Sequence, residues 1–173
     1  MHAPSETNAV RRLFDHELRA RLRELAPDGA RVLSSEDDEG PGQAALWQPG
    51  TTSGVGERAA RLRERLLPGA PVLVVLPGPH PLPAMLARAL RGTGDRRGGG
   101  AGLRDMRAAL GPGWEWRGAF ALGALLPGPD DDEWAAAHPG AFGVLAIVEA
   151  LTRRWPVVRG LGEILVLEGV RRP

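Results

Sequence analysis

Apolar residues near the start of the chain recur at the spacing of one helical face. They lie at Val10, Leu13, Phe14, Leu18, Leu22 and Leu25. Ser5 can cap this helix and Pro27-Asp28-Gly29 ends it, so the pattern predicts a helix over residues 5–26. The same periodicity predicts further helices over residues 56–67, 82–91, 103–110 and 141–155. The last of these has a predicted inner face of Phe142, Leu145, Val148, Leu151 and Trp155.

Short apolar runs between these helices predict strands. PVLVVLPG, residues 71–78, is continuously apolar and β-branched, as is typical of a central strand covered on both faces. Weaker runs predict strands at residues 30–35, 43–48, 114–122 and 162–170. Residues 92–102 are rich in Gly and Arg and are predicted to form a flexible loop. We find no repeat and no linker, so the alternating elements predict one α/β domain over residues 1–173.

Composition excludes several kinds of chemistry. All 22 basic residues are Arg, so no Lys is present for Schiff-base catalysis. The chain has no Cys, which excludes disulfides, Cys nucleophiles and thiolate metal sites. A net charge of +1 gives no reason to expect a nucleic-acid partner. No apolar run approaches the length of a membrane span and no apolar signal core is seen at the start, so we expect no membrane association and a cytoplasmic location.

The order of these elements is more specific than any single one. ALWQPG is followed by ERAARLRERLLPGAPVLVVLPGPHPLPAMLARAL, then by GLRDMRAALGPGWEWRGAF and FGVLAIVEALTRRWPVVRGLGEILVLEGV. This series, over residues 43–170, resembles the C-terminal half of small-molecule class I S-adenosylmethionine-dependent methyltransferases. The resemblance implies an α/β fold with a shortened Rossmann-like methyltransferase sheet. That sheet would be mostly parallel, with a C-terminal antiparallel hairpin and helices on both faces.

The chain departs from that family directly after its first strand. The family has a glycine-rich loop there, where this chain has Ser34-Ser35-Glu36-Asp37-Asp38-Glu39 and no G-x-G. Eight residues, 36–43, then stand where the family has several tens. A parallel crossover usually needs a dozen or more residues. We therefore predict that residues 31–35 and 43–48 pair antiparallel or not at all, and that the cofactor crevice has lost one wall.

Two sets of residues are candidates for binding. If S-adenosylmethionine binds, the residues after the first strand would contact it: Ser34, Ser35 and Glu36. The residues at the ends of the next two strands would border a substrate: Trp47, Gln48 and Pro77. For Trp47 a place in the hydrophobic core is the alternative.

His80, in LPGPHP, is the candidate catalytic residue. It follows the central strand at its carboxyl end, where open α/β sheets bind ligands, and it could act there as a general base. A loop histidine without a catalytic role is the alternative. The acidic runs at residues 36–39 and 129–133 lack the spacing of an EF-hand and are predicted to be solvated turns, so we expect no metal site.

These features support two hypotheses of different classes. In the first, the chain is a degenerate methyltransferase-like domain that binds no cofactor and acts as an interaction, scaffold or accessory module. A sheet edge left by the missing strands would then pair with a second copy or a partner protein through residues 31–50. In the second, it is an S-adenosylmethionine-dependent methyltransferase, or a repurposed enzyme, that acts on a small molecule in the same crevice. A second chain that supplies the missing half is a further alternative.

Overall fold

Helices and strands alternate along the chain largely as predicted. The computed structural model describes residues 9–49, 54–78, 103–126, 136–162 and 164–173. The helices in these ranges are α1 (Ala9–Leu25), α2 (Val55–Arg65), α3 (Leu103–Ala109), α4 (Pro139–Thr152) and α5 (Pro156–Leu161). The strands are β1 (Val32–Leu33), β2 (Ala44–Trp47), β3 (Pro71–Pro77), β4 (Trp114–Leu122) and β5 (Ile164–Arg171). The predicted helix over residues 82–91 and the predicted flexible loop over 92–102 lie outside the described residues.

The strands form one mixed sheet in the order β1-β2-β3-β5-β4. β1, β2 and β3 pair parallel, whereas β5 pairs antiparallel with both β3 and β4. The α/β class and the antiparallel pairing of the last two strands are therefore confirmed. The sheet is evenly mixed, with two parallel and two antiparallel pairs, and is not mostly parallel.

β3 lies in the middle of the sheet and is covered on both faces, as its continuous apolar run predicts. Val72 and Val74 pack in a core cluster with apolar residues of α2 and α3. Leu73 and Val75 point to the opposite face and pack in a second cluster that includes residues of α1 and the partly buried side of α4. Alternate side chains of β3 therefore pack against helices on both faces of the sheet.

The predicted antiparallel or absent pairing of the first two strands is wrong, because β1 and β2 pair parallel. The register places Val32 beside Ala44 and Leu33 beside Ala45. The length rule for crossovers assumes strands of ordinary length, but β1 has only two residues, so the chain retraces only about 7 Å. Gly42 makes the return compact, because a Cβ there would lie 2.4 Å from the Leu33 side chain.

The predicted inner face of the last helix is also wrong in part. Phe142 and Leu145 pack toward the second cluster, but Val148, Leu151 and Trp155 are exposed. The inward position that the periodicity missed is Glu149, which is buried. In a helix that is apolar almost all round, the inner face is assigned to the side opposite the charged residue. Here the one charged residue, Glu149, lies on the inner face, so the assignment was wrong. The helix also ends at Thr152, and Pro156 begins the separate helix α5.

Candidate functional site

The carboxyl ends of the three parallel strands meet at one edge of the sheet. Ser34 and Ser35 follow β1, Gln48 follows β2, and Pro77 ends β3. Because open α/β sheets bind ligands at this edge, we treat it as the candidate site. The chain passes from β1 to β2 without an intervening helix, so β1 does not lead into a helix N-terminus.

The turn after β1 is held by the carboxylate of Asp38. Its Oδ2 accepts hydrogen bonds from the backbone N–H of Ser34 at 2.6 Å and of Ser35 at 2.9 Å. The Ser34 hydroxyl lies 3.3 Å from the same oxygen. The backbone donors of Ser35 and Ser34 lower the pKa of Asp38 below its ordinary value. An acidic side chain of the chain itself therefore occupies the amides that a bound anion would need.

Glu36, from the same turn, is directed into the protein rather than into solvent. It is 8% exposed, and its Oε2 accepts a hydrogen bond of 2.8 Å from the indole Nε1 of Trp47. Arg58 Nε and Arg61 Nη2 lie 3.8 and 3.9 Å from its Oε1. Burial alone would raise the pKa of Glu36, but the hydrogen bonds from its own backbone N–H and from Trp47, with the two Arg charges, outweigh burial and lower it.

Helix α2 positions the two arginines of this cluster. Arg58 and Arg61 are three residues apart and share one side of the helix. Arg58 Nη1 also donates to the carbonyl of Pro49 at 2.6 Å, so it links the segments that follow β1 and β2. The fold thus brings this Arg-rich side of α2 to Glu36. Arg65 likewise donates to the carbonyl of Asp38 at 2.5 Å.

The structure brings two of the predicted site residues into contact with each other. Glu36 and Trp47 are in direct contact, and Trp47 lies in the core with 1% of its surface exposed. Gln48 and Pro77 are exposed at the ends of neighbouring strands. Ser34 is exposed and Ser35 half-buried within the Asp38 turn. His80 lies outside the described residues.

Two buried acidic residues that were not among the predicted site residues accept well-defined hydrogen bonds. Glu149 of α4 accepts three backbone N–H bonds, from Gly123, Leu125 and Leu126, at 2.7 to 3.2 Å. Glu168 of β5 accepts from Arg21 Nε at 2.5 Å and from Arg154 Nη2 at 3.2 Å. Each is a lone acidic residue within an apolar run, and that signal was available in the sequence.

An open groove of about 650 Å³ runs beside β1, at the edge of the described sheet. Arg19 and Arg23 of α1 line it, together with Leu22, Val32, Ser34 and Leu46. Val32 is 44% exposed there. The edge therefore offers an apolar residue beside two cationic side chains. Within the described ranges, no group of three or more His, Asp or Glu is arranged to hold a metal ion.

Comparison with known proteins does not assign the chain to a family. No protein-family model matches the sequence, and no curated protein matches it. Among the residues that the structure describes, no helix has both the length and the apolar character needed to cross a membrane.

The Asp38 turn makes a testable contribution to stability. Asp38→Ala is expected to lower the free energy of unfolding by about 1–2 kcal/mol at pH 7, because two backbone donors lose a charged acceptor. Since the folded-state pKa of Asp38 is lowered, this contribution is complete above the unfolded value of about 4 and is lost as pH falls through the folded value. Urea titrations at several pH values measure the difference.

The control for this prediction is Asp37→Ala, which removes the neighbouring exposed carboxylate. We expect that variant to change the unfolding free energy by less than about 0.5 kcal/mol at pH 7. A gap between Asp38→Ala and wild type that stayed constant down to pH 2 would contradict the role given to the carboxylate.

Proposed function

We propose that this protein is a degenerate methyltransferase-like domain that does not bind S-adenosylmethionine and acts as an interaction, scaffold or accessory module. The observation that carries the proposal is the cluster at the ends of β1 and β2, in which Glu36 is hydrogen-bonded to the buried Trp47. On this proposal, side chains of the chain itself occupy the position that would correspond to the cofactor site of the resembled family.

The hydrogen bonding of the turn after β1 supports the same proposal. Nucleotide-binding loops offer free backbone N–H groups, often at a helix N-terminus, to an anionic or hydroxyl-rich ligand. Here the amides of Ser34 and Ser35 already donate to Asp38, and β1 is followed by no helix.

The proposed contact surface is the sheet edge over residues 31–50. β1 is one of the two edge strands of the described sheet, and such strands tend to pair with another chain or to be covered. The exposed Val32 and the groove lined by Arg19 and Arg23 suit a partner with an apolar residue flanked by acidic groups. The proposed partner is a different protein or a second copy of this chain. A chain that supplies the strands that the resembled family has in addition belongs to the same proposal. The cytoplasm is the proposed location, in keeping with a chain that has no cysteine.

Calorimetric titration tests the central claim. We expect no saturable heat with S-adenosylmethionine or S-adenosylhomocysteine at ligand concentrations up to about 1 mM. A functional methyltransferase in the same buffer is the positive control, and circular dichroism checks that the sample is folded. Saturable binding in the low micromolar range would contradict the proposal.

An enzyme acting in the same crevice is the second candidate. It is favoured by the exposure of Gln48 and Pro77 at the carboxyl ends of adjacent parallel strands, a common place for ligands. In this version His80 is the proposed general base, and the substrate is a small molecule. Native mass spectrometry of freshly purified protein separates the candidates, because a retained small molecule of constant mass would favour the enzyme.

A further inference from the structure

The outward side of α4 is an uncovered apolar surface. Val144, Ile147 and Leu151 are 61%, 63% and 74% exposed, and they recur at the alternating three- and four-residue spacing of a helix–helix seam. Val148 lies beside them at 40% exposed, and Trp155 extends the surface beyond the helix at 61%. We call these five residues the α4 stripe.

The α4 stripe carries no charge. Glu149 is the single ionisable residue of α4, and it is buried against the backbone N–H groups of residues 123–126. Arg153 and Arg154 follow the helix, but they pair with Glu17 and Glu168. Gly140 lies one turn before Val144 on the same side, and a Cβ there would meet nothing within 4 Å. Another helix can therefore approach closely without desolvating a charge.

The area of this surface fits the lower range of specific protein interfaces. Multiplying each exposed fraction by the full area of its side chain gives a total exposed area of roughly 500 Å² for the five residues. This area is at the upper end of the range for apolar patches on monomeric proteins. Two such surfaces in contact would bury roughly 1,000 Å², the size at which a weak but specific dimer becomes stable.

We propose that a second copy of this chain covers the α4 stripe, through a helix–helix contact about a two-fold axis. A two-fold contact needs a surface that complements itself, and a stripe without charge meets its own copy without like-charge repulsion. A membrane surface fits less well, because helices that lie on membranes carry several Lys or Arg residues beside the apolar face. α4 contains neither, and Arg153 and Arg154 after it pair with Glu17 and Glu168. This proposal does not depend on the proposed function, which concerns a different surface, the sheet edge at β1 with its groove lined by Arg19 and Arg23.

Sedimentation of the full chain over about 1–500 µM tests the proposal, and we expect a dimer with a micromolar dissociation constant. Ile147→Lys and Leu151→Lys should each raise that constant about tenfold or more, because a cation replaces a central apolar contact. Leu67→Lys is the matched control, since Leu67 is 44% exposed elsewhere, and it should leave the constant unchanged. Val32→Lys probes the β1 edge in the same way.

Several outcomes would overturn the proposal. They are a strict monomer at 500 µM, a dimer that only Val32→Lys disperses, and binding of the monomer to anionic lipid vesicles through the same residues. Circular dichroism melts of each variant establish that dissociation is not unfolding.

Disulfide trapping gives a readout that does not depend on affinity. Because the chain has no cysteine, Ile147→Cys introduces a single thiol into the centre of the stripe. Under mild oxidation we expect a covalent dimer from this variant and none from Leu67→Cys, since a disulfide needs Cα atoms within about 7 Å. Equal cross-linking of the two variants would mean random collision and would refute the contact.

Discussion

Replacing Glu149 with Ala is expected to lower the free energy of unfolding by about 3–4 kcal/mol. The carboxylate accepts the backbone N–H groups of Gly123, Leu125 and Leu126, and these donors would be left without an acceptor in a largely buried place. Such a loss is large for a single substitution. Chemical denaturation followed by circular dichroism measures it.

Two further variants test whether the loss comes from the buried carboxylate. Glu149→Gln keeps one acceptor oxygen but turns an N–H₂ group toward a backbone donor, so we expect an intermediate loss of about 1–2 kcal/mol. Glu115→Ala removes a carboxylate that is exposed and paired 3.5 Å from Arg117, and should cost less than about 0.5 kcal/mol. Equal effects of Glu149→Ala and Glu115→Ala would refute this account of residues 123–126.

Replacing Trp47 with Ala is expected to cost about 3–5 kcal/mol. The side chain is 1% exposed at the end of β2, so its loss leaves a cavity in the core beneath the candidate site. The substitution also removes the donor that faces the buried Glu36. Trp47→Phe retains most of the ring but not the N–H group, and should cost about 1–2 kcal/mol.

Trp155→Ala is the matched control for Trp47, because it deletes the same side chain from an exposed position. At dilute, monomeric concentrations we expect it to change the unfolding free energy by less than about 1 kcal/mol. If Trp47→Ala proved as mild as Trp155→Ala, the filled cluster at the end of β2 would not be a structural element of the fold.

Local patterns predicted the middle of the fold well. β3 followed from an uninterrupted apolar run, and α2 from its spacing and the Pro-Gly that ends it. Both elements can be predicted from the hydrophobic pattern of their own residues, without information about the rest of the chain. The pairing of β1 with β2 was missed because it depends on strand length, and a two-residue strand leaves almost no trace in hydrophobicity.

The candidate site was only partly accessible from sequence. The missing glycine loop and the acidic turn were visible, and they directed attention to Ser34, Ser35 and Glu36. The burial of Glu36 was not visible, because it depends on Trp47 and on Arg58 and Arg61 from a helix that follows in the chain. Contacts between distant segments are set by tertiary packing, which periodicity does not encode.

The place of β5 has a consequence for how the chain folds during translation. β5 follows β3 and β4 in sequence, yet it lies between them and pairs with both along most of its length. While a ribosome is still making residues 164–171, β3 and β4 each present an edge that pairs with none of the earlier described strands. The nascent protein therefore has a period of exposure to chaperones or aggregation that ends only when this strand emerges, and folding should be slow relative to helical proteins of equal size.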